Sequence, residues 1–168
     1  IARSLGKQTR LDVTGESTQV DRDILAKLDA PLGHLLRNAI DHGIETPDER
    51  RAAGKPPEGL LHVEARHTAG ALHVIVSDDG RGVDLDRLRD TIVRRKYTSE
   101  EAASTLTDNE LLEFLFLPGF TMRTTVTDIS GRGVGLDAVQ DMVKQVRGTV
   151  TVSSQYGKGT RFVLQLPV

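Results

Sequence analysis

Two histidines, an amide and a carboxylate recur at helical spacing in His34-Leu35-Leu36-Arg37-Asn38-Ala39-Ile40-Asp41-His42-Gly43. Residues three and four apart are neighbours on a helix surface, so His34, Asn38, Asp41 and His42 share one patch. Leu32, Leu35, Leu36, Ala39 and Ile40 line the other side at the spacing that packs against a core. Alone, the pattern also fits an ordinary amphipathic helix with a solvated polar face. As chemistry, the Asn38 carbonyl oxygen is a hard ligand suited to Mg²⁺, which keeps several waters and takes further ligands from substrate phosphates. His34, one turn earlier, stands where a polarising or proton-accepting group is needed.

Three glycine-rich stretches favour the chemical reading. In Asp78-Asp79-Gly80-Arg81-Gly82 an acidic residue arrives directly from an alternating, strand-like run. Such a stretch can be a plain turn. It can also present Asp78 to an exocyclic amine such as adenine's, with Gly80 and Gly82 letting the backbone approach the ring. Gly131-Arg132-Gly133-Val134-Gly135-Leu136 precedes a long helical pattern. Alternate glycines ahead of a helix make an anion cradle from free backbone N–H groups and the positive end of the helix dipole. The dinucleotide fingerprint has different spacing and follows a strand, so it is set aside. Gly157-Lys158-Gly159-Thr160 reads as a hairpin turn that could close one wall of a nucleotide pocket.

The elements that must position these residues follow from periodicity. Arg10 to Val13 alternates like a short strand closed by Gly15, and Asp21 is placed to cap a helix carrying Ile24, Leu25 and Leu28. Asp29 and Pro31 then mark the start of the central helix and Gly43 its end. Pro47 to Ala53 reads as a short charged helix. Leu60 to Ala65 and Leu72 to Ser77 form an antiparallel hairpin turning at Ala69-Gly70. Asp84 caps a helix to Arg95 with Leu85, Leu88, Ile92 and Val93 inward; Thr107 to Glu110 opens another, carrying Leu111, Leu112 and Leu115. Phe116 to Arg132 lacks periodicity and reads as a functional or mobile loop. A helix from Val134 to Val146 stops at Gly148, and Thr149 to Ser153 with Arg161 to Leu166 makes a second hairpin. The class expected is an α+β sandwich, a mixed and mostly antiparallel sheet with helices on one face.

With 168 residues the chain has the size of one domain, and residues 1–168 are read as one. A formal net charge of −2 leaves no basic footprint for nucleic acid. The absence of cysteine removes disulfides, thiolate zinc sites and a cysteine nucleophile, and suits the cytoplasm. No apolar run approaches a membrane span, so no direct membrane insertion is expected. His62, His67 and His73 lie on or beside the first hairpin and are assigned to packing or surface. Because the first residue is Ile1, the chain reads as a piece excised from a longer protein.

In order and separation, HLLRNAIDHGIE, DDGRG, FLFLPGF, GRGVGLDAV and GKGT closely resemble the nucleotide-binding boxes of the GHKL ATPase and histidine kinase superfamily. The DHGIE ending, the long insertion between the second and fourth boxes and the PGF signature resemble its CheA-type chemotaxis kinases. The resemblance runs from about Gln19 onward. It implies a Bergerat two-layer α/β sandwich that binds ATP and Mg²⁺. In that pattern Asn38 holds Mg²⁺, and His34 takes the place where gyrase-like and Hsp90-like relatives have a glutamate that activates water. His42 faces the phosphates, with Asp41 beside it in the same box. Asp78 reads the adenine amine, Gly80 and Gly82 floor the ring, and Thr160 closes the adenine side. Gly131, Gly133 and Gly135, with Val134 and Leu136, hinge the lid and wrap the triphosphate. Phe116, Phe120 and Arg123 are assigned to the lid.

The reaction implied is transfer of the ATP γ-phosphoryl group to a histidine on a separate phosphotransfer domain. A dimerisation domain and a CheW-like coupling domain are the expected neighbours in the parent kinase, with a response regulator downstream. Two alternatives share the fold. A hydrolysing GHKL motor or clamp would need an acidic residue in place of His34, and a non-catalytic sensing module would bind nucleotide only to gate a partner.

Overall fold

The computed structural model describes residues 6–15, 22–120 and 135–167. Its sheet has five strands in the order β1-β2-β3-β5-β4: β1 Thr9–Thr14, β2 Gly59–Thr68, β3 Ala71–Asp78, β4 Thr149–Gln155 and β5 Gly159–Pro167. Both hairpins expected from alternation are present and antiparallel, and β3 pairs with β5 to join them. Ala69 (φ 47°) and Gly70 (φ 76°) make the first turn, the left-handed backbone that a two-residue hairpin connection requires. β1 adds to β2 in parallel, which gives the sheet its mixed character.

The helices are α1 Arg22–Asn38, α2 Pro47–Ala52, α3 Leu85–Arg94, α4 Glu100–Ser104, α5 Asp108–Glu113 and α6 Leu136–Gln145. α1 is continuous where sequence reasoning expected two helices separated at Asp29-Pro31. Pro31 lies inside it. Proline removes one intrahelical donor and normally interrupts a helix, yet Leu28 and Leu35 on either side of it are 2% and 1% exposed. Burial of a leucine stabilises by about 1.5–3 kcal/mol, enough to offset that cost. Leu25, expected inward, is 58% exposed, and its expected cap Asp21 lies outside the described residues. Capping serines and threonines start the short helices. Thr46 and Thr107 make capping boxes with Glu49 and Glu110, and Ser99 caps α4, a helix sequence analysis did not find.

The main core lies between one face of the sheet and the pair α1 and α6, joining Leu28, Leu35, Val74, Val139, Val143 and Leu164. A second cluster under α3, α4 and α5 unites Leu88, Ile92, Leu111, Leu112 and Phe120. The stretch expected to be a loop, Phe116 to Arg132, begins on the last residue of a turn of 3-10 helix, Phe114–Phe116. Phe116 is 6% and Phe120 8% exposed, one in each cluster. Both aromatic rings pack into the core where the stretch begins, and its remainder, residues 121–132, lies outside the described residues. No helix among the described residues is long and apolar enough to cross a membrane.

Candidate functional site

The strand alternation that builds the core also delivers its most unusual carboxylate. On β3, Leu72, Val74 and Val76 are inward and almost fully buried, and Asp78, two residues further, ends the same row. Its cross-strand partner on β5 is Thr160, which ends the row formed by Leu166, Leu164 and Phe162. Asp78 is thus turned toward the helix layer at the end of the sheet. Burial pushes its carboxyl up to about 6, opposed by backbone N–H groups of Gly80 and Thr160 and assisted by the negative charges of Asp79 and Glu45. The Gly80 amide donates to Asp78 Oδ1 at 2.8 Å.

Against this carboxylate sits the end of the central helix. α1 does not stop at Asn38 but widens into a π-helical turn, Ala39–Gly43, closed by Ile44 N–H donating to the Ala39 carbonyl at 2.7 Å. The sequence argument used uniform α-helical spacing, so it placed Asp41 and His42 correctly near the helix end but missed the change of pitch. His34, Asn38 and Asp41 are half-buried and His42 is exposed. A Cβ on Gly43 would lie 3.3 Å from Asp78 Oδ1, and one on Gly80 would lie 2.2 Å from the Gly43 carbonyl oxygen. The π-turn and the DDGRG stretch therefore meet backbone to backbone, and Arg81 N–H donates to the Gly43 carbonyl at 2.8 Å.

The last hairpin closes the third side. Gly157 N–H donates to the Arg81 carbonyl at 2.6 Å, and Val83 N–H to Ser154 Oγ at 2.8 Å. Ser154 Oγ is in turn 3.1 Å from Thr160 Oγ1. Gly82 (φ 71°) has the Gln155 carbonyl oxygen 2.4 Å from where a Cβ would be. Asp78, Gly80, Gly82 and Thr160 are thus brought together with the end of the Asn38 helix. Gly135 and Leu136 open α6, which packs along α1. Arg123, Gly131, Gly133 and Val134 lie outside the described residues. A groove of about 810 Å³ between α5 and β4, lined among others by Glu113, Phe114 and Arg161, includes Phe116 but none of the residues expected to touch the nucleotide or metal.

Sequence analysis missed the scaffold beneath the DDGRG stretch. Arg50, from the helix read only as charged, is 0% exposed. Its guanidinium donates to Glu45 Oε1 at 3.0 Å, Asp79 Oδ2 at 2.9 Å and the Pro56 carbonyl at 2.7 Å. Lys55 Nζ donates to Glu45 Oε2 at 2.6 Å and to the Gly80 carbonyl at 2.8 Å. Asp79 Oδ1 accepts from Leu60 N–H at 2.8 Å. Burial alone would raise the Glu45 carboxyl, but hydrogen bonds from Lys55 and its own backbone, with the charges of Lys55 and Arg50, hold it below its ordinary value. Of adjacent Asp78 and Asp79, Asp79 is therefore ion-paired with Arg50, while Asp78 accepts from the backbone N–H groups of Gly80 and Thr160.

Known proteins are similar to this chain over nearly its whole length. The B. subtilis chemotaxis protein CheA is 39% identical over 168 residues, all of this chain and 25% of that protein. The gliding motility regulatory protein of Myxococcus xanthus is 40% identical over 167 residues, 99% of this chain and 22% of that protein. The chain spans about a quarter of the length of such relatives. Among solved structures, the histidine kinase domain of the Erythrobacter litoralis EL346 blue-light activated kinase superposes with a TM-score of 0.55 at 16% identity, covering 99% of this chain and 60% of that one. The catalytic domain of histidine kinase ThkA does so with a TM-score of 0.56 at 16% identity, covering 98% and 80%. These two speak for the open α/β sandwich alone. Residues 27–168 match the family described as histidine kinase-, DNA gyrase B- and HSP90-like ATPases, and the chain belongs to that family.

Proposed function

We propose that residues 1–168 are the ATP-binding catalytic core of a CheA-type histidine kinase, within a longer cytoplasmic protein, and that they direct the ATP γ-phosphoryl group to a histidine on a separate phosphotransfer domain. The observation that carries the reading is Asp78, a carboxylate raised to about 6 at the end of a buried row, against Gly43 and Gly80. An acceptor held in such surroundings gains from a neutral donor such as the adenine amine, and the glycines on both sides let the π-turn and the DDGRG backbone close around the carboxylate that would receive it. Thr160 stands next to it across the strand pair.

The phosphates would lie along the helix that carries Asn38, Asp41 and His42. Bound Mg²⁺ supplies charge neutralisation between phosphate oxygens, and Asn38, a neutral oxygen donor, suits a cation that takes its remaining ligands from phosphate and water. His34 lies one turn away on the same helix and would orient or polarise the reacting group; a hydrolytic relative needs a carboxylate there. Gly131, Gly133, Val134, Gly135 and Leu136 would wrap the triphosphate ahead of α6, with Arg123 reaching it from the lid. Phosphoryl transfer relies mainly on positioning and charge neutralisation, so this set needs no covalent protein intermediate.

Dimerisation, phosphotransfer and CheW-like coupling domains, and a response regulator downstream, are the partners this reading calls for. Asn38→Ala tests it. Transfer to an added phosphotransfer domain should fall at least about a hundredfold while nucleotide is partly retained, because the lost contact acts on the metal and phosphates rather than on the base. Unchanged transfer by the variant would contradict the role given to Asn38.

A further inference from the structure

Helix ends leave their last carbonyl groups without intrahelical donors, and a widened last turn makes the problem sharper. In the π-turn, Ala39 accepts from Ile44 N–H, after which the chain runs extended at Ile44 (φ −71°, ψ 127°) and supplies no further helical donors. Two of the remaining carbonyls are met by a side chain from far away in sequence. Lys7, which precedes β1, donates through Nζ to the Ile40 carbonyl at 2.6 Å and to the Asp41 carbonyl at 3.0 Å. The Gly43 carbonyl accepts from Arg81 N–H. The turn is therefore held from one side by Lys7 and from the other by the DDGRG stretch.

We infer that Lys7 is a positioning residue of the nucleotide site, its ammonium fixing the π-turn backbone that sets Asp41 and His42 on the phosphate side. The geometry makes the bond more than a surface cap. A cationic donor to two carbonyls at a helix C-terminus is favoured both by the hydrogen bonds and by the helix dipole. Lys7 is half-buried, and Asp41, Glu45, Glu49 and Arg81 are the charged groups that act on it. The purine side touches the same turn at Gly43 but has anchors of its own, the Gly80 and Thr160 backbone N–H groups that donate to Asp78. Lys7, bound at Ile40 and Asp41, thus bears chiefly on the phosphate end of the ligand.

The inference rests on the nucleotide reading above, and the experiment separates the two. Dissociation constants of Mg-ATP and of adenosine would be measured by titration calorimetry for the wild-type chain, Lys7→Met, Lys7→Gln and Lys7→Arg. Lys7→Met should weaken Mg-ATP about tenfold, the size of one charge-assisted hydrogen bond, while adenosine changes by less than about twofold. Lys7→Arg, which can reach two carbonyls, should recover most of the loss, and Lys7→Gln, with a neutral donor, part of it. Should Lys7→Met fail to fold, the ordering of Mg-ATP affinity among wild type, Lys7→Arg and Lys7→Gln carries the test. Equal weakening of both ligands would mark Lys7 as a general brace, and an unaltered Mg-ATP affinity would remove its role altogether; either result overturns the inference. A wild-type chain that binds neither ligand would overturn the nucleotide reading itself.

Discussion

Burial holds the Asp78 carboxyl above the ordinary carboxylate range, and the sign of the effect on stability and binding follows from its surroundings. Its folded value of about 6 lies above the ordinary carboxylate value of 3.8. The proton on Asp78 therefore stabilises the free protein fully below about pH 3.8, and this contribution is lost as pH rises through about 6. Nucleoside binding runs the other way, because only the ionised carboxylate is purely an acceptor for an amine. Affinity for adenosine, which carries no phosphate to titrate, should rise as pH increases from 5 to 7 with a midpoint near 6, and level off above. Titration calorimetry across that range checks this, and a flat profile would contradict the role of Asp78. At this scale much of the site was legible: Asp78, Gly80, Gly82 and Thr160 were chosen from types and spacing, and the structure brings them to one place. Lys7, Glu45, Arg50 and Lys55 were not chosen. Residue type does not separate buried Arg50 from exposed Arg51, and the partner that ties Arg50 to the DDGRG stretch, Asp79, is 29 residues away.

At the scale of elements, the buried network is what ties α2 to the turn after β3. Arg50 and Glu45 have side chains 0% and 9% exposed, so their charges depend on each other more than on water. Removing one partner of such a pair costs about 3–5 kcal/mol, chiefly by leaving the other charge buried and unpaired. Arg50→Met should fall near the lower end, because Lys55 still meets Glu45 and because the side chain of Asp79 is 41% exposed. Urea unfolding should show a loss of about 3 kcal/mol, and a loss within 0.5 kcal/mol, the range of ordinary surface substitutions, would show that the network is not structural. Alternation and capping residues revealed both hairpins and most helices. They could not reveal the continuity of α1 through Pro31, which core packing decides, nor the π-turn, whose carbonyls are satisfied by Lys7 and Arg81 from distant segments.

For the whole molecule, periodicity was enough for the class of fold but not for the parallel placement of β1, since a strand's sequence does not state which neighbour it pairs with. The architecture divides labour along the sheet. Its middle, at Val74 and Leu164, is core, while the end carrying Asp78 and Thr160 meets the open end of α1. The proposed function places the nucleotide's purine at this end of the sheet and its phosphates along α1, where a phosphotransfer domain would have to reach them. The most direct test is to mix the chain with Mg-ATP labelled in the γ-phosphate, with and without a histidine phosphotransfer domain from a CheA-type kinase. The account predicts acid-labile label on the added domain and none on the chain's own five histidines. Release of free phosphate without transfer, under conditions where the longer kinase phosphorylates that domain, would contradict it.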